Sequence, residues 1–213
     1  MATTNSHEIH RLRASLSLSE RQRHILVGCL LGDGCLIPNA GEIGYRLQIE
    51  QSGRHKDYVR WLYEEFNRWV LTPPKYIERT HSWKFRTISH PELTALARVF
   101  YPNRKKILPK DIRDLLHTPL TLAVWVMDDG CLILESRGFI LNTQSFDRAE
   151  NEKLQRCLAE NFLITETTLH KDKNKVRLYI KRGSVRALRN IIEPYILPEF
   201  AYKLPRPRRD FSD

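Results

Sequence analysis

Two apolar runs in this sequence end on carboxylates. Ile25 to Ile37 reads ILVGCLLGDGCLI, and Leu122 to Ile133 reads LAVWVMDDGCLI. Each has the composition of a buried helix, and each closes on Asp-Gly, at Asp33-Gly34 and at Asp129-Gly130. Glycine is an ordinary helix stop, and it would account for one such end by itself. A carboxylate at a helix C-terminus, however, faces the negative end of the peptide dipole. Asp128 beside Asp129 adds like-charge repulsion. The same cost at the same place in both runs calls for a compensating cation. Carboxylate oxygens with open coordination positions suit Mg²⁺, which keeps waters and takes phosphate oxygens. Gly28 and Gly32 leave one face of the first helix bare, so the two helices can meet closely about a pseudo-twofold axis. Asp33 and Asp129 then share the floor of one cleft. Paired carboxylates that hold metal between two phosphates fit metal-assisted phosphodiester hydrolysis.

Composition supports an acidic substrate. The 213 residues include 35 Lys and Arg against 25 Asp and Glu, a net charge of +10. The pI of about 9.6 favours nucleic acid as the partner. No apolar run approaches the ~20 residues of a membrane span. Residues 1–18 lack the apolar stretch of a secretion signal and are expected to form a floppy leader. Cys29, Cys35, Cys131 and Cys157 show no CxxC spacing, which argues against a structural zinc site. A reducing compartment fits best, either an organelle matrix or the cytoplasm and nucleoid.

The elements that must carry the two acids recur in order. Ser19-Glu20-Arg21-Gln22 is a capping box, and the helix it opens runs to about Asp33. In EIGYRLQIEQS, Tyr45, Leu47 and Ile49 alternate with Arg46, Gln48 and Glu50, which predicts a strand. HKDYVRWLYEEFNRWV has helical spacing and stops at Thr72-Pro73-Pro74. A hairpin over 75–88 and a helix from Pro91 to about Phe100 follow. In the second half, Thr118 caps a helix with Pro119 at its first position. GFILNTQSF predicts a strand, 148–162 a helix, KVRLYIK a hairpin arm, and 184–193 a helix. The two Asp-Gly pairs stand 96 positions apart. The chain is therefore an internal duplication, with repeats at 19–116 and 117–205 and a basic tail at 206–213.

Leu26–Gly34 and Leu122–Gly130 both resemble the LAGLIDADG motif of homing endonucleases. WVLTPP (Trp69–Pro74), NRKKILP, LNTQSF (Leu141–Phe146) and YILPEFAYKLP (Tyr195–Pro205) further resemble the omega-type, mitochondrial intron-encoded members. The resemblance spans about Ser19 to Pro205. It implies an α+β fold of two pseudo-symmetric αββαββα repeats, whose curved antiparallel sheets straddle duplex DNA. It also implies that Asp33 and Asp129 bind the catalytic metals, with the backbone carbonyls of Gly32 and Asp128 as further ligands. Lys106 and Lys203 match the lysines beside the active centre, with Lys105 as the alternative to Lys106. Mg²⁺ is the implied cofactor, with Mn²⁺ able to substitute and Ca²⁺ supporting binding without cleavage. The second motif departs from the pattern at Val124 and Trp125, so the helix contact should be asymmetric.

The polar strand faces supply candidate DNA contacts. Arg46, Gln48 and Glu50 share one face, Lys84 and Arg86 another, and Arg177, Tyr179 and Lys181 a third. Asn142, Gln144 and His170–Arg177, a basic run through Lys171, Lys173 and Lys175 that reads as a loop reaching down the DNA, complete the set. Arginine reads guanine edges, glutamine and asparagine read adenine, and lysine serves phosphate. The expected activity is site-specific double-strand cleavage of a long asymmetric target by a monomer, leaving short 3′ overhangs. An intron RNA maturase, with intron RNA as partner, and a non-cutting DNA-binding regulator are the alternatives.

Overall fold

The computed structural model describes residues 7–204 apart from 40, 42 and 136. The basic tail at 206–213 lies outside the described residues. A first helix, α1 (His7–Ser15), precedes the duplication. The first repeat then runs α2 (Glu20–Leu31), β1 (Cys35–Pro38), β2 (Tyr45–Ser52), α3 (Lys56–Glu65), β3 (Lys75–Ile77), β4 (Ser82–Arg86) and α4 (Pro91–Phe100). A short helix, α5 (Ile112–Leu115), lies in the connection. The second repeat runs α6 (Pro119–Asp129), β5 (Gly130–Ile133), β6 (Gly138–Leu141), α7 (Arg148–Phe162), β7 (Thr167–Asp172), β8 (Lys175–Ile180) and α8 (Arg182–Ile192). Each repeat is αββαββα. The sheets are antiparallel, in the orders β1-β2-β4-β3 and β5-β6-β8-β7.

The two central helices start where their caps dictate. Ser19 Oγ accepts from Gln22 N at 3.1 Å, and Gln22 Oε1 accepts from Ser19 N at 3.1 Å. Thr118 Oγ1 accepts from Thr121 N at 3.2 Å, with Pro119 in the first turn. After the polar first turns of α2, from Ile25, and from Leu120 in α6, both helices are largely apolar all round because both are interior. Ile25 to Leu31 and Leu120 to Met127 are buried without a break. Fully burying each Leu, Ile or Val contributes about 1.5–3 kcal/mol, so this seam is a main stabilising element of the molecule.

The seam depends on the bare face of α2. A Cβ at Gly28 would stand 2.6 Å from Val124 Cβ and 2.8 Å from Thr121 O. A Cβ at Gly32 would collide with the side chain of Asp128. The contact is asymmetric as expected: the glycines of one helix receive Val124 and Asp128 of the other.

Four expectations need correction. The leader read at residues 1–18 holds α1, which buries Ile9 and is followed by buried Leu16 and Leu18. Its few apolar residues, scattered among charges, give too weak a periodicity to reveal it. The strand expected through Phe146 stops at Leu141, because Asn142 N and Nδ2 both turn to Asp129 O. The run His170–Arg177 is not a reaching loop but two strands joined at Lys173-Asn174, with Lys173 in the left-handed region at φ 56°. Lys84 and Arg86 do not form a separate face. They pair with Glu50 and Gln48, so Arg46, Gln48, Glu50, Lys84 and Arg86 share one surface.

Candidate active site

The two acid-bearing ends meet as the duplication requires, but they are not equivalent. Asp33 lies beyond the end of α2 in an exposed turn. Asp129 is the last residue of α6 and is half-buried. Asp128 sits between them. Its Oδ2 accepts from Asp33 N at 3.2 Å, and its Oδ1 accepts from Gln51 Nε2 at 3.2 Å. The same amide donates to Asp33 Oδ2 at 3.1 Å. Three carboxyl groups from the two repeats thus share one small volume.

Electrostatics follow from that crowding. Burial, then the charge of Asp33, pushes the Asp129 carboxyl up to about 7. The same two causes push Asp128 well above the usual carboxylate range. Burial lowers the ammonium pKa of Lys106 and of Lys203, while the three aspartates act in the opposite direction. The site is short of positive charge in spite of its two lysines.

Both lysines reach the motif ends. Lys106 Nζ donates to Gly32 O at 2.9 Å, whereas Lys105 is exposed. Lys203 Nζ donates to Met127 O and, at 3.1 Å, to Asp128 O. Gly32 and Asp128 are matching positions, so the lysines obey the pseudo-symmetry even where the acids do not. Each lysine is also held by the opposite repeat. Lys106 Nζ stands 5.6 Å over the Phe146 ring, and Leu108 N donates to Glu150 Oε1 at 2.7 Å. The turn carrying Lys203 packs Phe200 against Tyr58 at 5.1 Å and stacks it on His55 at 4.8 Å.

The donor chemistry suits a hard divalent cation. The groups facing the cleft are carboxylate and carbonyl oxygens, and burial together with the charge of Asp33 raises the Asp129 carboxyl, which a cation would offset. Gly32 O and Asp128 O each accept one lysine hydrogen bond, and a carbonyl has a second lone pair. Among the described residues no three His, Cys, Asp or Glu side chains converge on one metal position. A cation there would take the rest of its shell from carbonyls, water and substrate.

The sequence profile of the LAGLIDADG DNA endonuclease family matches residues 23–188. The chain belongs to that family. It is 30% identical over 200 residues to a probable intron-encoded endonuclease 1 of Wickerhamomyces canadensis, covering 88% of this chain and 85% of the relative. It is 30% identical over 199 residues to the cytochrome b mRNA maturase bI2 of Debaryomyces hansenii, covering 88% and 74%. The fold matches a solved structure of the homing endonuclease I-WcaI bound to its DNA recognition sequence. The TM-score is 0.84 at 29% identity, with 94% of this chain and 93% of that one covered. LAGLIDADG endonucleases depend on divalent metal as a family. Among the described residues no helix is long and apolar enough to cross a membrane.

In this LAGLIDADG chain the strand faces carry most of the residues expected at the DNA interface. Arg46, Gln48, Glu50, Lys84 and Arg86 form one surface of the first sheet, with Lys84 Nζ bonded to Glu50 Oε2 at 2.7 Å. Lys175, Arg177 and Tyr179 share a surface of the second sheet, and Lys181 follows with the same parity at the start of α8. The Tyr179 ring stacks on His170 at 4.2 Å. Lys171 pairs with Val176 and so points to the opposite side of the sheet from Arg177, away from that surface. Asn142 is committed to Asp129 O, and Gln144 Nε2 donates to Asp172 Oδ2 at 2.7 Å.

Gln51 escaped the sequence reading. Its parity follows Leu47 and Ile49, so alternation assigns it to the apolar side. A polar residue at the end of an apolar stripe was the available signal. Tyr58, buried against Phe200 and near Asp128, left no signal beyond helical spacing.

Proposed function

We propose that this chain is a metal-dependent, site-specific DNA endonuclease that acts as a monomer on a long asymmetric duplex. The observation that carries the reading is the approach of Asp33 to Asp128 and Asp129 of the other repeat, with Gln51 donating to both Asp33 and Asp128. Asp33 and Asp129 are the proposed metal carboxylates, with Gly32 O and Asp128 O as further oxygen donors. Mg²⁺, for which Mn²⁺ substitutes, would supply Lewis-acid activation of the scissile phosphates and of the attacking water. Lys106 and Lys203, fixed on the motif carbonyls, place a positive charge where a pentacoordinate phosphate gains negative charge. Gln51 orients Asp33 and Asp128 together. The two sheets hold the duplex across the cleft, so each strand meets one half of the site and cleavage leaves short 3′ overhangs. Supporting this are the family match and the resemblance to a DNA-bound homing endonuclease.

The test is selection from a randomised duplex library in Ca²⁺, followed by a switch to Mg²⁺, with Asp33→Asn and Asp129→Asn in parallel. Recovery of one long motif, cut on both strands by the parent only, is the expected result. Selective binding without cutting by the parent would leave a DNA-binding regulator. A maturase reading is favoured by one observation, the likeness to the maturase of Debaryomyces hansenii. It predicts tight binding to a structured intron RNA that survives both aspartate substitutions.

A further inference from the structure

Helix α1 has no counterpart in the second repeat, and it closes a cavity that the duplication alone would not make. The cavity, about 670 Å³, lies at the outer end of the first sheet. Ile9 and Arg13 of α1 line it together with Arg46 of β2, Lys75 of β3, and Lys84 and Arg86 of β4. Five cationic side chains line it, of which Lys84 is bonded to Glu50 at 2.7 Å, and among the described residues no Asp or Glu lines it. It opens from the surface that carries Arg46, Gln48, Glu50, Lys84 and Arg86.

Positive charge is crowded at this cavity. The Nε atoms of Arg13 and of Arg46 are sealed from solvent with no hydrogen-bond partner among the described residues, so an anion would meet the Nη groups of these guanidinium ions. Arg46 and Arg86 also stand close enough to repel one another: after burial, the charge of Arg86 is the second cause lowering the Arg46 pKa. The helix is fixed rather than draped. Ile9 is buried, Arg13 Nη2 donates to Ser89 Oγ at 3.3 Å, and His90 Nε2 lies 3.2 Å from Arg13 O. A preorganised contact loses little entropy on binding. Ahead of the second motif helix lies the short α5, which contacts α7. Asn161 of α7 donates to Arg113 O and Leu116 O at 2.8 and 2.7 Å, which holds α5 in the helical layer.

We propose that α1 is a DNA-contacting element, in which Arg13 joins Arg46 and Arg86 to hold a backbone phosphate at the outer end of the first half-site. Arg13 stands on a helix beside the sheet, not on a strand within its polar surface, so it meets the phosphate chain and not base edges. The first repeat thereby grips the duplex further from the cleavage centre than the second. This rests on the duplex-binding reading above.

Phosphate contacts are sequence-independent and salt-sensitive, so the target need not be known. The measurement is fluorescence anisotropy in Ca²⁺ with a labelled duplex of arbitrary sequence long enough to span both sheets, across a NaCl series. Arg13→Ala should weaken binding about three- to tenfold and flatten the log Kobs against log[NaCl] slope by about 1. Arg13→Lys should recover most of both. Arg177→Ala on the second sheet is the reference and should also flatten the slope. If Arg177→Ala flattens it and Arg13→Ala does not, α1 is no DNA contact, and duplex binding stands. If the parent has no measurable affinity for duplex, both readings fall together. Circular dichroism checks that α1 persists in each variant. Should Arg13→Ala loosen the helix, Arg13→Gln, which keeps a donor for Ser89 without the charge, carries the same expectation. An unchanged slope in that variant overturns the proposal. So does an effect confined to an RNA duplex of the same length.

Discussion

Asp33 and Asp129 hold matching places in a duplicated chain, yet one is exposed and the other is half-buried with its carboxyl raised to about 7. The difference traces to four residues of the seam. Gly28 and Gly32 leave α2 bare, and Val124 and Asp128 fill that space from α6. Two helices in close contact cannot both present bulk at the same crossing, so one repeat supplies the space and the other the side chains. The repeat that supplies the side chains also brings the third carboxyl, and its own motif acid is drawn into the interior. A duplication fixes which groups arrive at the centre. Packing then decides which of them are buried, and packing is not symmetric even when the topology is.

The largest expected effects come from breaking the comparison at the acids themselves. Asp33→Asn and Asp129→Asn should each lower cleavage by about 10³-fold or more, measured as single-turnover rates on a selected target. Their effects on stability should differ. Asp129 holds its proton more tightly folded than unfolded, so it weakens the metal-free fold as pH rises from about 4 through about 7. Below that window both states are protonated and the penalty vanishes; above it the penalty is complete, on the order of a few kcal/mol. In calorimetry without metal, Tm should fall across this window in the parent, and the fall should shrink in Asp129→Asn. Mg²⁺ should raise Tm more at pH 8 than at pH 5. A pH-independent Tm difference between parent and Asp129→Asn would contradict this assignment of the raised carboxyl.

Next in size is the seam. Gly28→Ala places a methyl within 2.8 Å of Thr121 backbone and against Val124, with no room for either helix to yield. Overpacking of this kind costs about 1–3 kcal/mol. Val124→Ala removes the opposing bulk and should cost about 1 kcal/mol. The two together should cost somewhat less than the sum, because Val124→Ala deletes Cγ1, which the new methyl meets at 2.8 Å, but keeps Cβ at 2.6 Å and Thr121 O at 2.8 Å. Urea denaturation of the double-mutant cycle tests this, and strict additivity would mean that the two residues do not meet as described.

How much of this was legible in the sequence follows the same division. Topology was readable because it depends on period and caps. Ser19, Thr118 and Pro119 start their helices where expected, and β2, α4, α7 and β8 fall close to where their patterns place them, whereas α3 ends at Glu65, short of the stop expected at Thr72-Pro73-Pro74. The pairing of Asp33 with Asp129 was readable from the repeat. What could not be read depends on contacts between segments far apart in the chain. Gln51 looks like a misplaced core residue until the end of α6 arrives beside it. Asp128 could equally have faced solvent; only the bare surface at Gly32 draws it inward. Lys84 and Arg86 lie on the surface of Arg46 because of strand register, which alternation within single strands does not specify. Helix α1 was missed because its stability comes from a few tertiary contacts and not from its own pattern.

The smallest prediction sharpens a difference between the two polar sheet surfaces. On the first, Glu50 accepts from Lys84 at 2.7 Å and from Ser82 at 2.8 Å, and the Lys84 bond is the first cause holding its carboxyl below the usual range. On the second, Lys175, Arg177 and Lys181 include no such internal ion pair among the described residues. A cation already paired within the protein releases fewer counterions from DNA when it binds. Glu50→Gln should therefore steepen the salt dependence of duplex binding by up to about 1, by freeing Lys84 for phosphate. It should change stability by less than about 1 kcal/mol, because a half-exposed pair contributes little. Affinity for unrelated duplexes should rise more than affinity for a selected target, since Glu50 can accept from a cytosine amino group and phosphate cannot substitute for that. An unchanged slope would place Lys84 on the protein's own carboxylate in the complex as well, leaving Arg46 and Arg86 as the charges that the first sheet brings to DNA.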